Sequence, residues 1–280
     1  MRKFLLIAYF IPVLSFGQAK VDTIEVYSEA MNKKLKAAVT TPSSYDGEME
    51  FPTLYLLHGG SGSFGDWHHK VTEQGLVPRL ADEYQVIIIT PSVGPSSYYF
   101  DSPLMDSVQY ETYITEELIA HIDANFRTMA RGESRAIVGL SMGGHGAIML
   151  SAKHPDLFIA AGSMSGVMNI DTREWKLSGD LANQRLAQQK AMLGDIQYDA
   201  PFSPYTVVGL VDKLKENGVA LKIECGVDDF LIATNRQIHQ LLVEKKVPHD
   251  YTERPGAHSW EYWTNALPYH LLFINTYIQR

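Results

Sequence analysis

Ser141 stands between two glycines in the run Gly139-Leu140-Ser141-Met142-Gly143-Gly144, the G-x-S-x-G spacing of a nucleophile elbow. A serine on so tight a strand-to-helix turn holds strained backbone geometry. Glycine at both flanking positions removes Cβ atoms that would strike the neighbouring strand or helix. The chemistry such a serine could do is attack on an acyl carbon, the chemistry of a serine hydrolase. It needs an imidazole to take its proton and a carboxylate to fix the imidazole tautomer and stabilise the cation that forms. Two later loops offer them in the order serine, acid, histidine: Gly226-Val227-Asp228-Asp229-Phe230 and Gly256-Ala257-His258-Ser259-Trp260. His258 is the candidate base. Asp229 is preferred to Asp228 as the acid because the Gly-x-x-Asp spacing carries it onto the turn beyond a strand; capping of the helix that follows is the alternative role for either.

Acyl transfer also needs two donors for a tetrahedral oxyanion, usually backbone N–H groups. Met142, the residue after the nucleophile, opens its helix and is one candidate. Gly60, in the glycine-rich stretch Leu57-His58-Gly59-Gly60-Ser61-Gly62, is the other. His58 is expected to hold that loop by hydrogen bonds, and His145 to pack behind the elbow. His68 and His69 are adjacent in sequence, so on a helix their rings diverge; with no third ligand in view, neither a metal site nor a cofactor is expected. Cys225, the single cysteine, reads as a small hydrophobe at a strand end and gives no disulfide.

The elements that must position these groups follow from periodicity. Thr23–Val26 and Leu35–Val39 alternate and flank the polar Met31-Asn32-Lys33, which predicts an antiparallel start to a sheet. Continuous apolar runs at Thr53–Leu57, Val86–Ile89, Ala136–Val138 and Phe158–Ala161 then read as strands buried on both faces, the mark of a parallel sheet between helices. A helix is predicted over Val108–Phe126, another over Gly144–Lys153 ended by His154-Pro155, then helix Thr206–Lys215, strand Ala220–Cys225, helix Leu231–Lys245, strand Asp250–Glu253 and a last helix from Trp260. Asp171–Tyr205 is polar and lacks a strand run. It reads as an insertion, with a cap over the acyl pocket and a remote surface excursion as the two alternatives. The expected class is an α/β-hydrolase fold: one domain over 18–280, mostly parallel, helices on both faces.

With 45% hydrophobic residues in 280, the chain can bury such a core. Its start, Met1-Arg2-Lys3 followed by the apolar run Phe4–Phe16, reads as a secretory signal peptide over 1–17 with cleavage before Gln18. That run is shorter than the roughly 20 residues of a membrane span and contains Pro12. A periplasmic or secreted protein is expected, without membrane attachment after cleavage. A net charge of −8 and the absence of any Lys/Arg cluster argue against nucleic acid as a partner.

Taken together, Leu56-Leu57-His58-Gly59-Gly60 with Asp66-Trp67, Pro91-Ser92-Val93-Gly94 with Tyr98-Tyr99, the elbow, Gly226–Leu231 and Gly256-Ala257-His258-Ser259-Trp260 resemble the esterase D-like group. That group holds tributyrin esterases, S-formylglutathione hydrolases and the feruloyl and acetylxylan esterases of carbohydrate esterase family one, with mycolyltransferases as distant relatives. The resemblance implies Ser141, Asp229 and His258 as a triad and Gly60 and Met142 as oxyanion donors, in agreement with the reading from the residues. It implies an esterase, and with the signal peptide the expected protein is an exported one acting on short acyl or feruloyl esters, as small molecules or on polysaccharide. The signal peptide and the loop Gly59-Gly60-Ser61-Gly62 disfavour a glutathione thioester. An acyltransferase and a siderophore esterase are the enzymatic alternatives, and a non-catalytic carbohydrate-binding relative the non-enzymatic one. Trp67, Tyr98, Tyr99, Trp260 and Trp263 could form an aromatic platform for an acyl group or sugar, or pack the core; about two of them are expected in the cleft.

Overall fold

A computed structural model describes residues 18–175, 177–195 and 204–280. The segment 1–17, expected as a signal peptide, lies outside the described residues, as do 176 and 196–203 within the expected insertion.

Eight strands form one sheet: β1 (Lys20–Ser28), β2 (Lys33–Thr41), β3 (Thr53–Leu57), β4 (Ile87–Pro91), β5 (Arg135–Leu140), β6 (Ala160–Met164), β7 (Ala220–Gly226) and β8 (Asp250–Arg254), in the order β1-β2-β4-β3-β5-β6-β7-β8. The β1–β2 hairpin and the β2–β4 pair are antiparallel, and every later pair is parallel. The hairpin turns at Asn32, whose φ of 48° suits the short polar side chain of asparagine. Antiparallel start and parallel body are both as the hydropathy pattern predicts.

Strand residues alternate between two cores. Leu54, Leu56, Ile88, Ala136 and Val138 face one layer, built by α1 (Leu76–Tyr84) and the C-terminal helix; Tyr55, Leu57, Ile87, Ile89 and Ile137 face the other. The second layer holds α2 (110–125), α3 (Met142–Lys153), α5 (Val211–Asn217) and α6 (Ile232–Lys245). The C-terminal helix is α7 (Trp260–Asn275), and α4 (Gly179–Leu193) belongs to the insertion. Because both sheet faces are covered, the central strands carry apolar residues toward both faces rather than at alternate positions only.

Several boundaries differ from expectation, each for a local reason. The strand expected at Phe158–Ala161 runs instead from Ala160 to Met164. Gly162 and Ser163 carry no hydropathy signal, yet small size is required there, since a Cβ on Gly162 would lie 2.4 Å from His270 Nδ1 on α7. The predicted helix Val108–Phe126 is shorter and contains a π-helical stretch, Tyr113–Leu118, within its regular turns. Thr206–Lys215 divides into a 3₁₀ turn, Val207–Leu210, and α5, which stops at Gly218 in the left-handed conformation (φ 68°). The polar stretch Asp171–Tyr205, in which only the absence of strand was legible, contains the fifteen-residue α4.

Candidate active site

The elbow joins β5 to α3. Ser141 has φ 54° and ψ −118°, a strained conformation for a residue with a side chain. Three backbone hydrogen bonds hold it: Ser141 N–H donates to Met164 O (2.9 Å), and Ser141 O accepts from His145 (3.1 Å) and Val167 (3.2 Å). The flanking glycines are sterically required. A Cβ on Gly139 would stand 2.2 Å from Gly143 O, and one on Gly143 would stand 2.6 Å from Leu57 O, both backbone atoms that cannot swing aside.

His258 and Asp229 reach Ser141 from loops at the carboxyl ends of β8 and β7. His258 Nε2 lies 2.9 Å from Ser141 Oγ, and its Nδ1 lies 2.8 and 3.0 Å from the two oxygens of Asp229. The Asp229 side chain is fully enclosed, whereas Asp228 is exposed. Asp229 Oδ1 also accepts the N–H of Leu231 at 2.8 Å. That bond braces the turn before α6, whose N-terminus, at Leu231, has no side-chain cap, so the capping role posed as an alternative is not taken by either aspartate. The rings of Phe230 (4.5 Å between centroids) and Trp263 (4.8 Å, edge-on) pack on the imidazole and restrict its rotation. Both loops are anchored at their roots by the buried Glu224 of β7, whose carboxylate accepts from the Arg254 guanidinium of β8.

On the other side of Ser141 lies the loop after β3. Gly60 O accepts from Ser96 N (2.8 Å), which orients the Gly59–Gly60 region, and among the described residues no acceptor takes the Gly60 N–H. Met142 is the first residue of α3, so its N–H lacks an intrahelical partner. His58 fastens this loop: Val93 N–H donates to its Nε2 (3.1 Å), leaving the proton on Nδ1 to reach Gly59 O (2.7 Å). Burial lowers the His58 pKa and keeps the ring neutral for that role.

A cavity of about 370 Å³ opens over Ser141. Apolar side chains, among them Val167, Leu177, Phe230, Trp260 and Trp263, form much of its wall. Of the aromatic residues expected at a platform, Trp260, Trp263 and Tyr98 line it. Trp67 and Tyr99 do not. Trp67 is wholly buried, donates Nε1–H to Leu57 O (3.2 Å) and packs edge-on against Trp260. Tyr99 is equally buried and gives its hydroxyl proton to His58 O (3.0 Å), behind the loop rather than in front of it. Sequence reasoning missed Phe230, whose place beside the acid was its only signal. It also missed Trp175, Leu177, Leu181 and Arg185, which line the cavity from the insertion; in a polar stretch without sheet pattern nothing marked them. Among the described residues no three His, Cys, Asp or Glu side chains gather as a metal site, and no helix is long and apolar enough to cross a membrane.

Chemically, the line Ser141–His258–Asp229 can move a proton off a serine hydroxyl, and the paired N–H groups beside it can receive an oxyanion. Sheet order and elbow define an α/β hydrolase. The family model named Esterase, described as "Putative esterase", matches residues 28–274, and the chain belongs to that family. It is similar to an acetyl esterase of Caldicellulosiruptor saccharolyticus, 31% identical over 223 residues that cover 77% of this chain and 80% of the relative. Among solved structures, a ferulic acid esterase is 30% identical with a TM-score of 0.76, the match covering 94% of this chain and all of that one. A fluorophosphonate-binding serine hydrolase of Staphylococcus aureus, FphF, shares the fold at 22% identity and a TM-score of 0.80, covering 92% of this chain and 99% of that one. The protein is a carboxylic ester hydrolase of the serine type.

Proposed function

We propose that Ser141, His258 and Asp229 are the catalytic triad of an exported esterase that removes short acyl and feruloyl groups, including those attached to polysaccharide. The observation that carries this reading is the unbroken hydrogen-bonded line from Ser141 Oγ through His258 to Asp229 at the floor of the cavity. In the first half-reaction Ser141 Oγ attacks the ester carbonyl carbon as His258 Nε2 takes its proton. The carbonyl oxygen becomes an oxyanion held by the N–H groups of Gly60 and Met142. Collapse breaks the bond to the alcohol, which leaves with the proton from His258, and the acyl group stays on Ser141. Water, deprotonated by His258, then attacks the acyl-enzyme and releases the acid. Asp229 keeps the imidazole proton on Nδ1 so that Nε2 is free to accept, and stabilises the imidazolium.

An aryl-sized acyl group is supported by the volume of the cavity and by Phe230, Trp260 and Trp263 on its wall. The similarity to a ferulic acid esterase and to an acetyl esterase points to the same range of acyl groups. Export rests on the basic and then apolar start of the chain. Ser141→Ala is expected to lower ester hydrolysis by about 10⁴-fold or more, and a fluorophosphonate probe to label the wild type at Ser141. Near-normal turnover in a folded Ser141→Ala protein overturns the assignment. A panel of acetyl, butyryl and feruloyl esters together with acetylated xylan tests the substrate class: turnover confined to small soluble acetates counts against the feruloyl and polysaccharide readings.

A further inference from the structure

We propose that Arg185 binds a carboxylate carried by the substrate, so that the enzyme selects anionic esters over neutral ones of the same size. The inference rests on the triad reading above, because it places the substrate in the cavity over Ser141. Leu181 and Arg185 lie one turn apart on α4 and both line that cavity. Gln189, one turn further along the same stripe, is completely buried and donates to Tyr98 Oη (3.1 Å) and Ile170 O (2.9 Å). The turn that carries Arg185 is therefore fastened to the body of the protein. Arg185 is half-buried on the cavity side of α4, and among the described residues no carboxylate pairs with it. Its protein hydrogen bonds, to Ser96 Oγ and to Gln188 Oε1 (3.2 Å), both leave from Nη1. The edge formed by Nε and Nη2 makes none among the described residues, and that edge is the fork that fits a carboxylate with two parallel hydrogen bonds. Lys70, the other Lys or Arg lining the cavity among the described residues, is already held by Asp66 at 2.8 Å.

Position adds to this. Arg185 Nη1 lies 4.0 Å from where a Cβ on Gly60 would stand, and Ser96, which takes the Nη1 hydrogen bond, also binds Gly60 O through its N–H. The guanidinium thus sits beside the loop next to which an ester carbonyl must lie, within reach of a group a few bonds from the reacting carbon. A carboxylate there has two sources: the acyl part, as in a dicarboxylic half-ester, or the alcohol part, as in an acylated uronic acid.

Two matched pairs separate these sources. The acyl arm compares 4-methylumbelliferyl pentanoate with 4-methylumbelliferyl hemiglutarate. The alcohol arm compares an O-acetylated methyl glucoside with the corresponding methyl glucuronoside. In at least one arm the wild type is expected to favour the anionic member at least 10-fold in kcat/KM, mainly through KM. Arg185→Met is expected to shrink that preference by about 10- to 100-fold, the range for a charge-assisted hydrogen-bonded pair, and Arg185→Lys to restore part of it. No anionic preference in either arm, or a preference that survives Arg185→Met, overturns the proposal. So does an equal loss on neutral and anionic members, which marks a positioning role. Calorimetric binding of the hemiglutarate ester to the Ser141→Ala protein, with and without Arg185→Met, gives a readout independent of turnover: a 10- to 100-fold weaker Kd is expected, and an unchanged Kd counts against the site.

Discussion

Asp228 and Asp229 are chemically identical neighbours, and their surroundings alone divide the work between them. Asp229 is enclosed and spends its oxygens on His258 Nδ1 and Leu231 N–H, while Asp228 is exposed, with its backbone N–H tied to Gly256 O (2.9 Å). Asp229→Asn should leave the Leu231 hydrogen bond intact, since an amide oxygen accepts as well as a carboxylate oxygen. It would nonetheless favour the wrong imidazole tautomer. Turnover is expected to fall by up to about 10⁴-fold with little change in unfolding midpoint. Asp228→Asn is expected to stay within about twofold of wild type. Steady-state kinetics on both variants checks the pair, and the reverse ranking would move the acid to Asp228.

At the scale of elements, β5, α3 and the ends of β7 and β8 carry the proposed triad, while the insertion supplies part of the cavity wall. Trp175, Leu177, Leu181 and Arg185 all come from it. Its anchor points are specific: Gln189 on Tyr98 and Ile170, and Met192 O, which accepts the Ser102 hydroxyl at 2.5 Å. If this segment caps the acyl pocket, replacing residues 178–194 with a short Gly-Ser linker removes the wall against which a large acyl group packs. The expected result is a loss of about 10-fold or more in kcat/KM for a feruloyl ester relative to an acetyl ester, with the sheet core intact by circular dichroism. An unchanged ratio in a folded protein would make the segment a bystander.

The whole molecule carries several imidazoles whose charged form burial disfavours. His58, His145 and His270 are all buried, and desolvation lowers the pKa of each, that of His145 to about 4. Between that value and the ordinary imidazole pKa of about 6.5, the unfolded chain binds a proton that the folded chain does not. Stability is thus full above this window and declines as pH falls through it. For His145 the loss is moderated, because its Nδ1 and Nε2 face the carbonyl oxygens of Tyr98 (3.0 Å) and Tyr205 (2.9 Å), which favour the charged ring. Glu111 acts in the same direction at the acid end, since hydrogen bonds from His154 and Lys153 outweigh its burial and lower its pKa. The Tm measured by calorimetry is expected to drop by several degrees between pH 7 and pH 4. A flat or rising Tm over that range contradicts the account.

The candidate site was legible because its chemistry is written in short-range spacing. Gly139 and Gly143 around Ser141, the glycines that open the loops of Asp229 and His258, and the run at Gly59-Gly60 stand within a few residues of the groups they serve, so the pattern is visible locally even though the backbone they make room for is distant, Leu57 O for Gly143 and Gly256 O for Gly226. The parallel sheet was legible for a related reason: strands covered on both faces carry continuous apolar runs. Contacts between distant segments left no such trace. Phe158 looked like strand because apolar residues look alike in sequence, whereas Gly162 is strand because it pairs with Val138 and Lys222, and it is glycine because His270, more than a hundred residues later, takes the space of a Cβ. Trp67 and Tyr99 were legible as aromatic but not as buried, since only the packing of α7 and the β3 loop decides which aromatic side chains face the cavity. Arg185 was one polar residue among many until α4 turned it toward Ser96 and Gly60. Residue types fixed the chemistry available along the chain; which side chains share a cavity depended on long-range packing, and that has no period to read.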